Sequence, residues 1–317
     1  MRILVLLDPP HLLRPKSDTS VAIIDGLVRR GHDVFFAEIH SLWLRQVVVG
    51  AQVYAIRSVS REEAPALTLD PEVQSQPLSH FHAVLMRKDP PYDIAYHTAT
   101  LLLELARNQT LLINDPRGLR EANEKLFIFH YPDLIAPTVV THRMDELKAF
   151  MATQGGEMIV KPLDGYAGLS VFHVREGDAN TGAILETMTH HGKRWVMAQR
   201  KLDVKAKGDK RILLLDGEPL TAVLRIPAEN ELRSNMALGG TPRATELTPR
   251  EREICERLKP RLQKEGLYFV GLDVIDDHLT EVNVTSPTGI QAADRLYNQR
   301  FEDRVAEFIE SRAPRFA

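Results

Sequence analysis

Short, wholly apolar runs alternate with amphipathic stretches through the first third of the chain. Ile3–Leu7, Asp33–Ala37, Ala83–Arg87 and Thr110–Ile113 each read as a buried strand. Between them, Thr19–Arg30 and Ile94–Arg107 space their apolar residues as helices do, and Gly31 stops the first. Apolar strands alternating with helices predict a mostly parallel sheet covered on both faces. The first strand runs into Asp8-Pro9-Pro10 rather than G-x-G-x-x-G, which argues against a nicotinamide or flavin site. Val47–Val59 reads as a small hairpin and Glu62–Ser79 as a polar surface loop.

The pattern changes after Asn114–Arg120, where Pro and Gly mark a boundary. A helix over Ala122–Phe129 follows, then strands Met158–Lys161 and Ser170–Val174, a helix Asn180–His190, and an edge-like strand Trp195–Gln199. From Asp203 onward the chain predicts two hairpins, 209–225 and 268–284, separated by a helix over 248–264 and closed by one over 294–310. Three regions result: an N-terminal α/β domain at 1–121, a central subdomain at 122–202, and an α+β C-terminal subdomain at 203–317.

Length agrees, since 317 residues exceed one ordinary core. A net charge of −3 and a pI near 6.5 argue against nucleic-acid and membrane partners. No apolar run approaches membrane-spanning length, and Asp8 interrupts an opening too short for a signal peptide. One cysteine, Cys255 in a helical pattern, excludes an intrachain disulfide framework and favours a reducing compartment, hence a cytoplasmic location. The histidines lack ligand spacing, and there is no G-x-S-x-G elbow.

The chemistry is concentrated in five polar segments. In YFVGLDVIDDHLTEVNVTSPT (268–288), a loop of Asp276-Asp277-His278 sets Ile275 opposite Leu279 and Asp273 opposite Glu281. Strand parity then gathers Asp273, Glu281 and Asn283 on one face, a hard oxygen set suited to Mg²⁺ or to an ordinary solvated sheet face. IVKPLDGYAGLSVF (159–172) is a strand–glycine loop–strand able to fold backbone N–H groups over a polyphosphate beside Lys161, or a plain tight hairpin. GDKRILLLDGEPLTAVLR (208–225) turns at Asp216-Gly217, pairing Arg211 with Ala222 and turning Arg225 to the other side unless a bulge intervenes. Asp209, Lys210 and Arg211 equally form an ordinary edge charge cluster, and Lys125 an ordinary helix lysine. The loop 226–247, with Arg233, Asn235 and Gly239-Gly240, has the length and composition of a lid. LMRKDPPYD (85–93) sets Arg87 at the carboxyl end of a parallel strand, where ligands collect.

In this order, LMRKDPPYD, NEKLF, IVKPLDG, MAQ, GDKRILLLDGEP, RIP, GLYFVGLDVI and LTEVNVTSPTGI resemble bacterial glutathione synthetase, an ATP-grasp ligase, from Met1 to about Ile290. The resemblance implies an ATP-grasp fold behind an open parallel α/β domain, with ATP as co-substrate and Mg²⁺, or Mn²⁺ in its place, as the metal. It implies that Lys125 and Lys161 bind phosphates beneath the loop of Asp164, Gly165 and Gly168. Gln199, Arg200, Lys201 and Leu202 would border adenine, with Asp209 a further ATP-binding candidate. Asp273, Glu281 and Asn283 would hold the metal, and Arg211, Arg225 and Arg233 would act in catalysis. Arg87, Asn235, Ser286, Pro287 and Thr288 would hold the peptide substrate. The implied reaction joins γ-glutamylcysteine and glycine through an acyl phosphate, in a homo-oligomer, by resemblance a tetramer.

Three departures keep two other readings open: a ligase for a different peptide or amine, and an inactive nucleotide-binding paralogue. The family's Asp-Gly-Met-Gly-Gly loop is Asp164-Gly165-Tyr166-Ala167-Gly168 here, so a Cβ stands at 167. The 211–225 hairpin is one residue shorter than the family norm. Gln291-Ala292-Ala293 replaces the family's Arg-Glu-Ile.

Overall fold

The computed structural model describes residues 1–231 and 233–313; Leu232 of the lid segment and residues 314–317 of the last region lie outside the described residues. A seven-stranded sheet forms the N-terminal domain. Its parallel centre runs Asp33–Ala37, Arg2–Leu6, Ala83–Met86, Leu111–Ile113, in that spatial order. Strand alternation sorts the core by parity. Ile3, Val5 and Leu7 pack with Val21, Ile24 and Leu27 of helix Thr19–Arg29 and with Val305 and Ile309 of helix Phe301–Arg312. Leu4 and Leu6 pack on the other face with Tyr96, Ala99 and Leu103 of helix Ile94–Glu104.

The expected hairpin and polar loop at 47–79 are instead an antiparallel ribbon. Val48–Val59 is one long strand paired with Leu42–Arg45 and with Leu67–Pro77. The sequence obscures Leu67–Pro77, because its alternation of Leu67, Leu69 and Val73 is interrupted by Pro71 and ends at Pro77, with Val73 exposed.

A second sheet, antiparallel, runs Phe172–Arg175, Glu157–Pro162, Val196–Gln199, Thr138–Thr141. Val196–Gln199 is therefore an inner strand, not an edge; the short Thr138–Thr141 beside it gives little signal in sequence. Met158, Val160, Val174, Val196 and Ala198 pack beneath helices Met144–Thr153 and Thr181–Met188. The predicted helix at 122–129 is absent. Asn123 Oδ1 accepts from the N–H groups of Lys125 and Leu126, both at 3.0 Å, and this side-chain turn displaces regular helix. Only a short 3₁₀ turn, Phe127–His130, follows helix Pro116–Glu121.

The third sheet, also antiparallel, runs Thr241–Ala244, Glu218–Ile226, Asp209–Leu215, Phe269–Ile275, His278–Asn283. Ile212, Leu214, Val270, Leu272 and Val274 share a core with Ile254, Cys255, Leu258 and Leu262 of helix Pro249–Lys264. Thr248 caps that helix with a capping box to Glu251. The expected closing helix is two, Ile290–Tyr297 and Phe301–Arg312, parted where Asn298 adopts φ 50°. Among the described residues, no helix is long and apolar enough to cross a membrane.

Candidate active site

Each of the two antiparallel sheets has one face closed by helices, and the other faces meet around a cavity of about 610 Å³. Strand parity decides what enters it. From the second sheet come Ile159, Lys161, His173 and Gln199; from the third come Asp209, Arg211, Arg225, Asp273, Glu281 and Asn283.

Two bulges make the third sheet's contribution coherent. The 209–226 hairpin shifts register between Leu213 and Leu214, leaving Leu220 without a partner. Arg211 consequently stands opposite Val223 rather than the expected Ala222, and Arg225 stands opposite Asp209, on the same face. The second hairpin turns at Asp276-Asp277 alone, both with positive φ, so Ile275 pairs with His278 and Val274 with Leu279. The predicted three-residue loop and the Ile275–Leu279 pair are therefore corrected. A bulge at the next step restores the expected Asp273–Glu281 pair.

The floor is a web of buried charge. Arg211 grips Asp273 with two bonds, Nε to Oδ1 at 2.6 Å and a terminal nitrogen to Oδ2 at 3.0 Å. Arg225 donates to Asp209 Oδ2 at 2.5 Å and lies 3.0 Å from Asp273 Oδ1. Burial alone would raise the Asp273 carboxyl, but Arg211 and Arg225 outweigh it and hold it well below the usual carboxylate range. Asp209 goes the other way, because burial and the nearby Asp273 overcome the pull of Arg225. Glu281 Oε1 takes Lys161 Nζ at 3.1 Å and Lys125 Nζ at 3.6 Å, and the two lysines hold its carboxyl down against burial. Burial lowers the Lys161 ammonium, with Glu281 opposing. Four cations thus ring a floor of three carboxylates, and Asp209 Oδ1 and Arg225 Nε are buried without a hydrogen-bond partner among the described residues. An anionic ligand would find fixed positive charge and unspent donors here.

The roof consists of two loops. Lys125 Nζ donates to Gly165 O at 2.6 Å, tying the 163–171 loop to the floor. Ala167 adopts φ 51° and Gly168 φ 76°, so the Cβ at 167 is accommodated in the left-handed region rather than excluding it. A Cβ on Gly168 would lie 2.8 Å from Asn235 Oδ1, and Arg233 donates to Gly168 O at 3.3 Å. The second loop therefore lies directly on the first. It is not one long irregular segment, since Thr241–Ala244 within the expected 226–247 lid is a strand. Ser234 secures it, donating to Asp209 Oδ2 at 2.5 Å.

Gln199 is buried and donates to Thr138 Oγ1 at 3.0 Å, and Arg200, Lys201 and Leu202 continue along the rim. With Ile159, Val171 and Ile275 they border an apolar slot able to take a flat base. Ser286, Pro287 and Thr288 form the opposite end, where Arg211 donates to Thr288 O at 3.2 Å. Two candidates lie off the wall. Asp164 is exposed and pairs with Arg194. Arg87 is buried behind the wall, donating to Ser20 Oγ at 3.0 Å and Pro287 O at 3.1 Å.

Sequence reasoning missed Glu124, Ser234 and the wall formed by Arg14, Ser17 and Asp18. Glu124 accepts from Thr285 Oγ1 at 3.0 Å, and burial pushes its carboxyl up. Its place in NEKLF beside Lys125 was the available signal; Asp18, which caps the helix starting at Thr19 in the structure, carried none.

The donor set suits a hard cation. Asn283 commits its NH₂ to Gly271 O at 3.1 Å and Asp273 Oδ2 at 3.3 Å, which leaves its carbonyl oxygen as the donor atom. Glu281 Oε2 and the Asp273 carboxylate stand beside it on one sheet face. Among the described residues, no group of three or more His, Cys, Asp or Glu side chains is placed to hold a metal ion, so a cation here would need the Asn283 amide oxygen beside the carboxylates.

Residues 1–120 match the family described as prokaryotic glutathione synthetase, N-terminal domain, and residues 124–298 match prokaryotic glutathione synthetase, ATP-grasp domain. The glutathione synthetase of Gloeobacter violaceus is 44% identical over 316 residues, covering 98% of this chain and 96% of its own. That of Synechocystis sp. is 43% identical over 323 residues, covering 98% and 99%. Among solved structures, the D-cycloserine synthetase DcsG superposes with a TM-score of 0.66 at 15% identity, covering 98% of this chain and 100% of its own. The ATP-grasp ligase PsnB, complexed with minimal precursor, Mg and ADP, gives 0.63 at 15% identity, covering 99% and 98%. Both structures share the fold.

Proposed function

This chain belongs to the prokaryotic glutathione synthetase family, and on that premise we propose that it is the ATP-dependent ligase that joins γ-glutamylcysteine to glycine. The observation that carries the reading is the ring of Lys125, Lys161, Arg211 and Arg225 around Asp273 and Glu281, at the meeting of the two sheets.

The reaction begins with ATP in the slot bordered by Gln199–Leu202 and its phosphates over Lys125 and Lys161. The C-terminal carboxylate of the dipeptide attacks the γ-phosphorus, giving an acyl phosphate and ADP. The amine of glycine then attacks that carbonyl, and phosphate departs as the peptide bond forms. Arg211 and Arg225, held rigid by Asp273 and Asp209, face the oxygens on which negative charge gathers. The loops at 163–171 and 233–240 keep water from an intermediate that would otherwise hydrolyse. Mg²⁺ bound by Asp273, Glu281 and Asn283 would neutralise the phosphate oxygens, and Mn²⁺ suits the same oxygen donors.

Subunit association as a homo-oligomer, a tetramer by family likeness, belongs to this reading, as does the division at 121 and 202. So does a cytoplasmic location, supported by the single cysteine, Cys255, which is buried and unpaired.

Phosphate release with Mg-ATP, γ-glutamylcysteine and glycine, each omitted in turn, tests the proposal. Turnover requiring all three is expected. Release only with another peptide or amine would assign a different ligase, and none with any acceptor would mark a non-catalytic nucleotide binder.

A further inference from the structure

The cavity ends, beyond Arg211 and the Ser286–Thr288 turn, at a wall supplied by the N-terminal domain: Arg14, Ser17 and Asp18. Residues 14–18 form an irregular turn with few backbone bonds of its own. What holds it comes from helix Ile290–Tyr297. Gln291, 1% exposed, donates both N–H bonds of one amide to this turn, to Pro15 O at 2.7 Å and Asp18 O at 2.6 Å. Its Oε1 accepts from Arg61 Nε at 3.4 Å, so its partners fix which way the amide faces. Arg61 is fixed in turn by Asp294 at 2.5 Å and Glu302 at 2.9 Å. Arg295 takes Lys16 O at 2.9 Å, and Thr19 Oγ1 accepts from the N–H groups of Gly289 and Ile290.

The position where the family resemblance breaks is therefore the one that clamps a wall of the cavity. The wall's chemistry is specific: an exposed guanidinium on Arg14, and carboxylates on Asp18 and Asp89. A guanidinium forks onto a carboxylate, and carboxylates accept an ammonium. Together they match the free amino-acid end of a γ-linked glutamyl group, which carries both charges on one carbon.

We propose that Gln291 is a positioning residue for the peptide substrate, holding the 14–18 turn so that Arg14 and Asp18 receive the α-carboxylate and α-ammonium of its glutamyl end. This rests on the function proposed above and deepens it. With the turn clamped, the dipeptide's far carboxylate reaches past Ser286–Thr288 toward Arg211 and the phosphates.

Steady-state kinetics on the full chain test it, using wild type, Gln291→Met and Arg14→Ala. Methionine keeps the volume of Gln291 and removes both donors. The expected result is a rise of about tenfold in KM for γ-glutamylcysteine in each variant, with KM for ATP and kcat nearly unchanged. Arg14→Ala should also erase the wild type's preference for γ-glutamylcysteine over an analogue lacking the α-carboxylate. A purely structural role for Gln291 would lower kcat through loss of active enzyme and leave KM for the dipeptide unmoved, which overturns the proposal. If Gln291→Met does not fold, the exposed Arg14→Ala decides alone, and an unchanged KM and preference there is equally fatal. A wild type that does not turn over γ-glutamylcysteine at all would instead overturn the function on which the proposal rests.

Discussion

Glu281 sits between two buried lysines, and that position gives it a structural role before any nucleotide arrives. Lys125 is 3% exposed and Lys161 5%, and both ammoniums turn to Glu281 Oε1. Glu281→Gln keeps the shape but leaves two buried cations facing each other. Breaking a buried pair from one side costs about 3 kcal/mol, so the ligand-free variant should unfold at a clearly lower urea concentration than wild type. ATP without metal supplies the missing negative charge and should raise the variant's midpoint more than wild type's. Equal midpoints without ligand would show that the lysines are satisfied by other means. Ala167 poses the opposite case, a side chain at φ 51° where glycine is at ease. Ala167→Gly should leave KM for ATP at or below the wild-type value; a rise would mean that the methyl group packs usefully against the nucleotide.

At the scale of elements, bulges decide which side chains reach the chemistry. Leu220 is the unpaired residue of the 209–226 hairpin, and the parity it restores sets Arg225 beside Asp209 and Asp273. Deleting Leu220 would only remove the bulge and keep Arg225 opposite Asp209, whereas inserting one residue after Val223 should reverse the facing of residues 224–226 and withdraw Arg225 from the cavity. We expect ligation to fall by about 10²–10³ or more, with the far-ultraviolet circular dichroism of a folded protein. Near-normal turnover would show that Arg225 acts from elsewhere or not at all. The same physics explains what sequence could convey. Parallel strands buried on both faces, such as Arg2–Leu6 and Ala83–Met86, announce themselves as apolar runs. The Asp273–Glu281 pairing was legible because two errors cancelled: the loop is shorter than expected, and the bulge adds back one residue. Leu67–Pro77 was harder to read, because Pro71 and a run of polar residues interrupt the alternation of Leu67, Leu69 and Val73. The 14–18 wall was illegible for another reason: Gln291 finds it 273 to 276 positions away.

For the whole molecule, the decisive junction lies where the last two helices close against the N-terminal domain. Arg29 and Arg61 both donate to Glu302 Oε1 at 2.9 Å, and Arg61 also pairs with Asp294. Burial, with the neighbouring Asp294 adding to it, pushes the Glu302 carboxyl up to about 7 despite Arg61. In the unfolded chain this group titrates near 4.5. Between those values the folded protein holds a proton that the unfolded chain has lost, so stability falls as pH rises through the window. Below about 4.5 both states are protonated and the contribution is complete; above about 7 it is gone. Glu310, held down to about 2 by Arg30 and His32, has the opposite sign and loses its contribution only as pH falls below the ordinary carboxylate range. The two windows barely overlap, so they can be separated. Thermal midpoints of wild type and Glu302→Gln, measured from pH 4.5 to 7.5, should diverge steadily, with wild type losing ground to the variant toward neutral pH. Parallel curves would mean that Glu302 stays ionised throughout, clamped by its two arginines, and that the junction is an ion-pair network rather than a proton-sharing one.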